Sequence, residues 1–242
     1  MFQGQPRRLV WPDCHNVRGL GGLPTADGGR LRPGALVRAD HLGRLTDQGM
    51  TALQDHGISR IIDLRNEAEA AAPIHPFAGT PIYRLLPLID PAREPERDLV
   101  AERTKAATYR GSVLRNGHAI GAAIGAIADA PAGGVVVHCA VGRDRTGMIV
   151  ALVLAAAGVP DELIAADYSY TAECLRSEHE AALAAVTDPA ARAALLEQQA
   201  SPAENILGML RVATERYGDV RRYLLGNGVT PAQLDRLLAR LQ

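Results

Sequence analysis

The chain has 242 residues, 47% of them hydrophobic, and a formal net charge of −1 at pH 7. That length and apolar content suffice for one large core, while the near-neutral balance leaves no electrostatic footprint for nucleic acid. Aromatic residues make up only 4%, too few for a platform that stacks single-stranded bases.

The opening stretch from Met1 to Arg8 has no apolar signal region, so a cytoplasmic location is expected. Trp11-Pro12-Asp13 reads as a turn built by Pro12 and Asp13. Leu36-Val37-Arg38 is a short strand. Thr46 caps a helix that runs to His56 and stops at Gly57. Ile58 to Leu64 and Ile82 to Leu86 are apolar runs of strand length. Pro87 to Pro95 is broken by prolines. A charged helix is expected over Glu96 to Tyr109, and another over roughly 113–128. The segment 91–112 therefore stands where a lid would lie, although a solvated helix face gives the same pattern.

Gly133-Gly134-Val135-Val136-Val137 predicts a buried strand, and the apolar run from Met148 to Ala157 predicts a core helix. Gly158 and Pro160 stop that helix, which is too short and too alanine-rich to span a bilayer. A further helix is expected over Asp161 to Thr171, and more helices to Gln242. The stretch Ala190 to Asn205, with Gln198, Gln199 and Pro202, is expected to bridge two helical blocks. Asn227-Gly228 marks a turn, and Thr230-Pro231 opens the last helix. No internal repeat is visible, and residues 1–242 read as one domain. Alternating strands and helices predict an α/β fold, with a small, mostly parallel central sheet flanked by helices.

Between the Val135 strand and the Met148 helix lies His138-Cys139-Ala140-Val141-Gly142-Arg143-Asp144-Arg145-Thr146-Gly147. A cysteine and an arginine stand six positions apart on a loop that opens a helix. First-turn N–H groups lack intrahelical partners and bind anions, and successive loop N–H groups form a nest around a phosphate. Gly142 allows the turn without a Cβ penalty. A thiol at a helix N-terminus beside cations ionises readily, so Cys139 is expected to be a thiolate nucleophile. Arg145 supplies a planar fork for two phosphate oxygens. Thr146 is positioned to hydrogen-bond the sulfur, and His138 to orient the loop. Gly142 and Gly147 have the glycine spacing of a nucleotide-binding loop, but Met148 stands where that loop needs lysine. Cys14, Cys139 and Cys174 are an odd set, which speaks against a disulfide scaffold.

This segment resembles the Cys-x5-Arg-Ser/Thr motif of the protein tyrosine phosphatase superfamily. More narrowly, it is similar to a bacterial branch of tyrosine and lipid phosphatases. Asn16-Val17-Arg18-Gly19-Leu20-Gly21-Gly22, Leu36-Val37-Arg38-Ala39-Asp40 and Ile61-Ile62-Asp63-Leu64-Arg65 fit the pattern of that branch. Two positions depart from it: Gly19 replaces the usual aspartate, and Arg143 a common lysine. The resemblance implies a tyrosine phosphatase-like fold and hydrolysis of phosphotyrosine, phosphoserine, phosphothreonine or phosphoinositides. Cys139 and Arg145 would be catalytic, and His138, Ala140, Val141, Gly142, Arg143, Thr146 and Gly147 would line the phosphate site. No metal or other cofactor is expected, and no lasting membrane insertion. A phosphorylated protein, lipid or small molecule would be the partner.

The leaving oxygen needs an acid. The resemblance puts Asp144 first; as a first-turn residue it equally suits a helix cap. Asp63 ends a strand where parallel sheets carry their ligands, and it equally suits an ion pair with a nearby arginine. The acidic stretch from Asp90 to Glu102 is a third source. Three other activities share parts of this chemistry. A phosphatase of nucleotides or sugar phosphates would use the same loop. A non-catalytic phosphate-binding module would not need both Cys139 and Arg145. Arsenate reduction needs resolving cysteines, and Cys14 and Cys174 have no telling spacing.

Overall fold

In the computed structural model, which describes residues 7–71 and 74–242, six strands form one sheet. They are β1 (Arg7–Arg8), β2 (Arg18–Gly19), β3 (Leu36–Ala39), β4 (Ile58–Asp63), β5 (Tyr83–Leu85) and β6 (Gly134–His138), in the order β1-β2-β3-β6-β4-β5. β3, β6, β4 and β5 run parallel, and β1 and β2 add an antiparallel edge. β6 lies at the centre because its three valines are buried on both faces, as a parallel strand requires. Val135 and Val137 enter the larger core, and Val136 the smaller one. The register sets His138 between Ala39 and Asp63, so three strand ends meet where the Cys139 loop departs.

The early helices are α1 (Asp47–Asp55), α2 (Glu67–Ala71), α3 (Lys105–Arg115) and α4 (Gly117–Ala128). The Thr46 side chain caps α1. Leu53 of α1 packs with Trp11, Leu42 and Phe77 in the smaller core. The larger core is built around α5 (Asp144–Ala156), nearly all of whose side chains are buried. Around it stand α6 (Asp161–Cys174), α9 (Ala203–Tyr217), α10 (Val220–Gly226) and α11 (Pro231–Leu241). α11 opens on a capping box between Thr230 and Gln233. Two helices between these blocks, α7 (Arg176–Ala184) and α8 (Pro189–Gln199), bury no residue.

Two expected helices change shape. The helix expected from Glu96 begins only at Lys105, because the Asp98 side chain accepts from the Val100 and Ala101 N–H groups and folds a turn. Thr104 then caps α3 through the Ala107 N–H. The single helix expected over 113–128 breaks at Asn116. Its amide donates to Ser112 Oγ and accepts from Asp90 N–H, side-chain bonds that compete with helix continuation. All three cysteines are free. Among the described residues no helix is long and apolar enough to cross a membrane.

Candidate active site

The 139–142 loop is held by its carbonyls. His138 Nδ1 meets the Cys139 carbonyl at 3.1 Å, and the His41 N–H donates to Ala140 O at 3.0 Å. Asn16 Nδ2 donates to Val141 O at 2.9 Å, and Arg38 Nη2 to Gly142 O at 2.6 Å. Meanwhile the N–H groups of residues 140–145 find no acceptor among the described residues. Carbonyls fixed outward and donors left free around a helix N-terminus make an anion cradle. Gly142 sits at φ +68°, and a Cβ there would lie 2.4 Å from the Ala39 carbonyl oxygen. Glycine is therefore obligatory on both conformational and steric grounds.

Cys139 opens this loop and is buried, with 2% of its surface exposed. Two guanidinium groups, those of Arg145 and Arg38, interact electrostatically with it. Arg145 projects from the first turn of α5 and is gripped at both nitrogens by Glu69, at 2.5 and 2.7 Å. Glu69 also closes a reciprocal pair with Asn66 at the start of α2: each accepts the other's N–H. The Arg145 hydrogen bond, working against burial, holds the Glu69 carboxyl below its ordinary range. Glu69 was not singled out by sequence; the Asn66-x-x-Glu69 spacing of a capping box was its only local signal.

Asp144, the first residue of α5, stands on the rim with its side chain 33% exposed. Tyr109 of α3 donates to its Oδ1, Arg143 Nε lies 3.2 Å from both oxygens, and Lys105 Nζ lies 3.8 Å away. Burial pushes the carboxyl up, but the Arg143 charge and the bonds from Arg143 and Tyr109 outweigh it, so the net shift is downward. Tyr109 shares its hydroxyl with Tyr168, and Asn205 donates to Tyr168 in turn. Thus the segment 91–112 brings Lys105 and Tyr109 to the rim.

Arg143 makes its side-chain bonds along the rim. Beyond its contact with Asp144, it donates to the carbonyl of Gln199 at the end of α8. Lys105 donates to the neighbouring carbonyls of Gln198 and Ala200. Cations suit a helix C-terminus, so the backbone at Gln198 and Gln199, rather than their side chains, ties α8 to the rim. Thr146 Oγ1, expected at the sulfur, is buried with no hydrogen-bond partner among the described residues.

Asp63 lies at the end of β4 and is fully buried. Arg65 and the Tyr83 hydroxyl both donate to it, at 2.7 and 2.8 Å. Burial pushes its carboxyl up, but the Arg65 bonds prevail and hold it at about 2. His75 and His138 stand beside it, with ligand-capable atoms of the three residues all within 4.8 Å. The Phe77 N–H donates to His75 Nδ1 at 3.1 Å, and burial pulls the His75 pKa down to about 3. The neutral ring therefore carries its proton on Nε2. With that nitrogen a donor and Asp63 already accepting two partners, the cluster offers little to a cation.

The N-terminal motif lies beneath the loop. Asp40 accepts the His15 and Asn16 N–H groups, both at 3.0 Å, and so presents Asn16 to Val141. Arg18 and Arg38 are both fully buried and share the carboxylate of Asp167 on α6. Gly19, where the related branch usually has an aspartate, pairs with Val37 in the sheet.

The tyrosine phosphatase family profile matches residues 9–242. The chain is 29% identical over 271 aligned positions to the triple specificity protein phosphatase PtpB of Mycobacterium tuberculosis, which covers 93% of this chain and 96% of that protein. It is 30% identical over 223 positions to a tyrosine-protein phosphatase of Nostoc commune, covering 86% of this chain and 74% of that protein.

Proposed function

The chain belongs to the tyrosine phosphatase family, and we propose that it hydrolyses phosphomonoesters through a phosphocysteine formed on Cys139. One observation carries this reading: the loop's carbonyls are pinned outward while its N–H groups stay free around a cysteine and a glutamate-braced arginine. The Cys139 thiolate attacks phosphorus in line, the S–P bond forms, and the ester P–O bond breaks. The free N–H groups and Arg145 bind the equatorial oxygens, where transition-state charge is spread. Asp144 protonates the departing oxygen. Water then attacks the phosphocysteine, gives a proton back to Asp144, and releases phosphate with the thiolate restored.

Asp144 is assigned this role because it stands at the rim, partly exposed, where a leaving group must pass. Asp63 is assigned to the support of the loop, because Arg65 and Tyr83 occupy its carboxylate. The substrate classes proposed are phosphotyrosine, phosphoserine or phosphothreonine in proteins, and phosphoinositides. The test is turnover of 4-nitrophenyl phosphate, with a burst of product on mixing and inhibition by vanadate. Cys139→Ser is expected to abolish turnover, and retained turnover would overturn the mechanism. A panel of phosphopeptides, phosphoinositides and nucleotides, ranked by kcat/KM, then decides the substrate; a nucleotide or sugar phosphate at its head would make this a metabolic phosphatase.

A further inference from the structure

We propose that Arg38 is the positioning residue of the catalytic loop: its buried guanidinium, fixed by Asp167, holds the Gly142 carbonyl turned out of the cup. The inference rests on the loop's assignment to phosphate transfer, and it concerns a residue that touches neither substrate nor the reacting atoms.

Arg38 leaves β3 immediately beside β6, opposite Val137 in the register. Its side chain is wholly buried. Nη2 donates to Gly142 O at 2.6 Å, and Nη1 reaches Asp167 Oδ2 at 2.5 Å. A planar fork thus spans two rigid anchors, the loop on one side and α6 on the other, which a flexible ammonium does poorly. Asp167 is itself fixed. Its other oxygen takes Arg18 Nε at 2.7 Å, and its backbone carbonyl takes Arg18 Nη2 at 2.7 Å. Arg18 also reaches Asn16 Oδ1, and Asn16 donates to Val141 O. Two successive loop carbonyls are therefore gripped from one buried network that runs from the N-terminal motif to α6.

The consequence follows from peptide planarity. When a carbonyl points outward, the N–H of the same peptide unit points the opposite way. Fixing Val141 O and Gly142 O therefore aims the Gly142 and Arg143 N–H groups into the cradle. Gly142, at positive φ, has the freedom to flip, so it is the loop position that most needs an external hold. Arg38 also interacts electrostatically with Cys139, so the same guanidinium bears on the loop carbonyl and on the thiol.

The decisive comparison is Arg38→Met with Arg38→Lys, read by melting, by kcat and KM for 4-nitrophenyl phosphate, and by the vanadate inhibition constant. Arg38→Met removes the hold. It is expected to lower kcat by about 100-fold and to weaken vanadate by at least about tenfold, the cost of misplacing donors by about 1 Å. Arg38→Lys keeps a cation beside Asp167 and so keeps the fold, with about tenfold losses in both readouts because one ammonium replaces the fork. A cooperatively melting Arg38→Met with kcat and vanadate affinity within about threefold of wild type would overturn the proposal. If Arg38→Met does not fold, Arg38→Lys decides: wild-type values in both readouts overturn it, and paired losses support it. If the wild-type protein lacks turnover, the phosphatase reading fails instead. Titration of wild type and variants with tungstate, a non-reacting oxyanion, then still measures the hold on the loop.

Discussion

Asp63 and Asp144 lie at the same end of the sheet, one beside the base of the catalytic loop and one on its rim. Asp63 is completely buried, and an arginine and a tyrosine hydroxyl reach it at hydrogen-bond distance. Asp144 is partly exposed, faces Arg143, Tyr109 and Lys105, and stands in the first turn of α5. Both carboxyls are shifted downward, so the shift alone does not separate a support from an acid. Access does: a proton donor must exchange with solvent and meet the leaving oxygen, and only Asp144 has an open side. A carboxylate closed in by Arg65 and Tyr83 is committed to architecture.

The comparison breaks first on leaving-group dependence. Asp144→Asn is expected to slow an alkyl phosphate by about 1000-fold and 4-nitrophenyl phosphate by only about tenfold, since general acid catalysis contributes about 10²–10⁴ where the leaving group is poor. Equal losses on both substrates would remove Asp144 from the acid's role. Asp63→Asn should behave in the opposite manner. Its activity loss is expected to be the same for both phosphates, while the fold loses about 3 kcal/mol because Arg65 is left buried without its partner. A leaving-group-dependent loss in Asp63→Asn would exchange the two roles.

Acid unfolding sharpens the same contrast. The Asp63 carboxyl is lowered from 3.8 to about 2 in the fold. Its stabilising contribution is therefore fully present above about pH 4 and is lost as pH falls toward 2; a difference of this size corresponds to about 2 kcal/mol. Urea unfolding at pH 5 and pH 3 should show wild type losing more of its stability than Asp63→Asn over that interval. Parallel curves would mean that the Arg65 pair contributes nothing to the fold.

How far the sequence discloses these roles depends on how local each one is. Cys139, Gly142 and Arg145 share one strand–loop–helix unit, so their spacing alone displays the cradle. Glu69 is 76 positions from Arg145, and Asp167 is 129 positions from Arg38; only the packing of α2 and α6 brings them together. Asn16, Arg18 and Arg38 stood out as a pattern without a chemistry, because Asn16 and Arg38 meet carbonyls of a distant loop, which leave no mark in a sequence, and Arg18 meets them only through Asn16 and Asp167. The helix expected over 96–109 fails for a related reason. Asp98 and Thr104 direct their side chains to nearby N–H groups, and such bonds override the charge pattern. Arg143, expected among the residues of the phosphate site, bonds Asp144 and the carbonyl at the end of α8, partners that its place in the loop motif did not reveal.

The smallest expected effect tests the rim alone. Tyr109 donates to Asp144 Oδ1, and a bond to a carboxylate favours its charged form. Tyr109→Phe removes that donor and keeps the ring that meets Tyr168 edge-on at 6.2 Å. The Asp144 carboxyl should then titrate higher, because its charged form loses one hydrogen bond. With Asp144 as the proposed acid of the first step, the alkyl-phosphate rate is expected to fall as pH rises through its titration. In Tyr109→Phe that fall should move to higher pH by the same amount. The rate on 4-nitrophenyl phosphate, whose leaving group needs little protonation, should show no such displacement. If the fall keeps its position in Tyr109→Phe, the titrating group is not in contact with Tyr109. The acid must then be sought in the Asp90 to Glu102 stretch, since Asp63 is buried and its carboxylate is occupied by Arg65 and Tyr83.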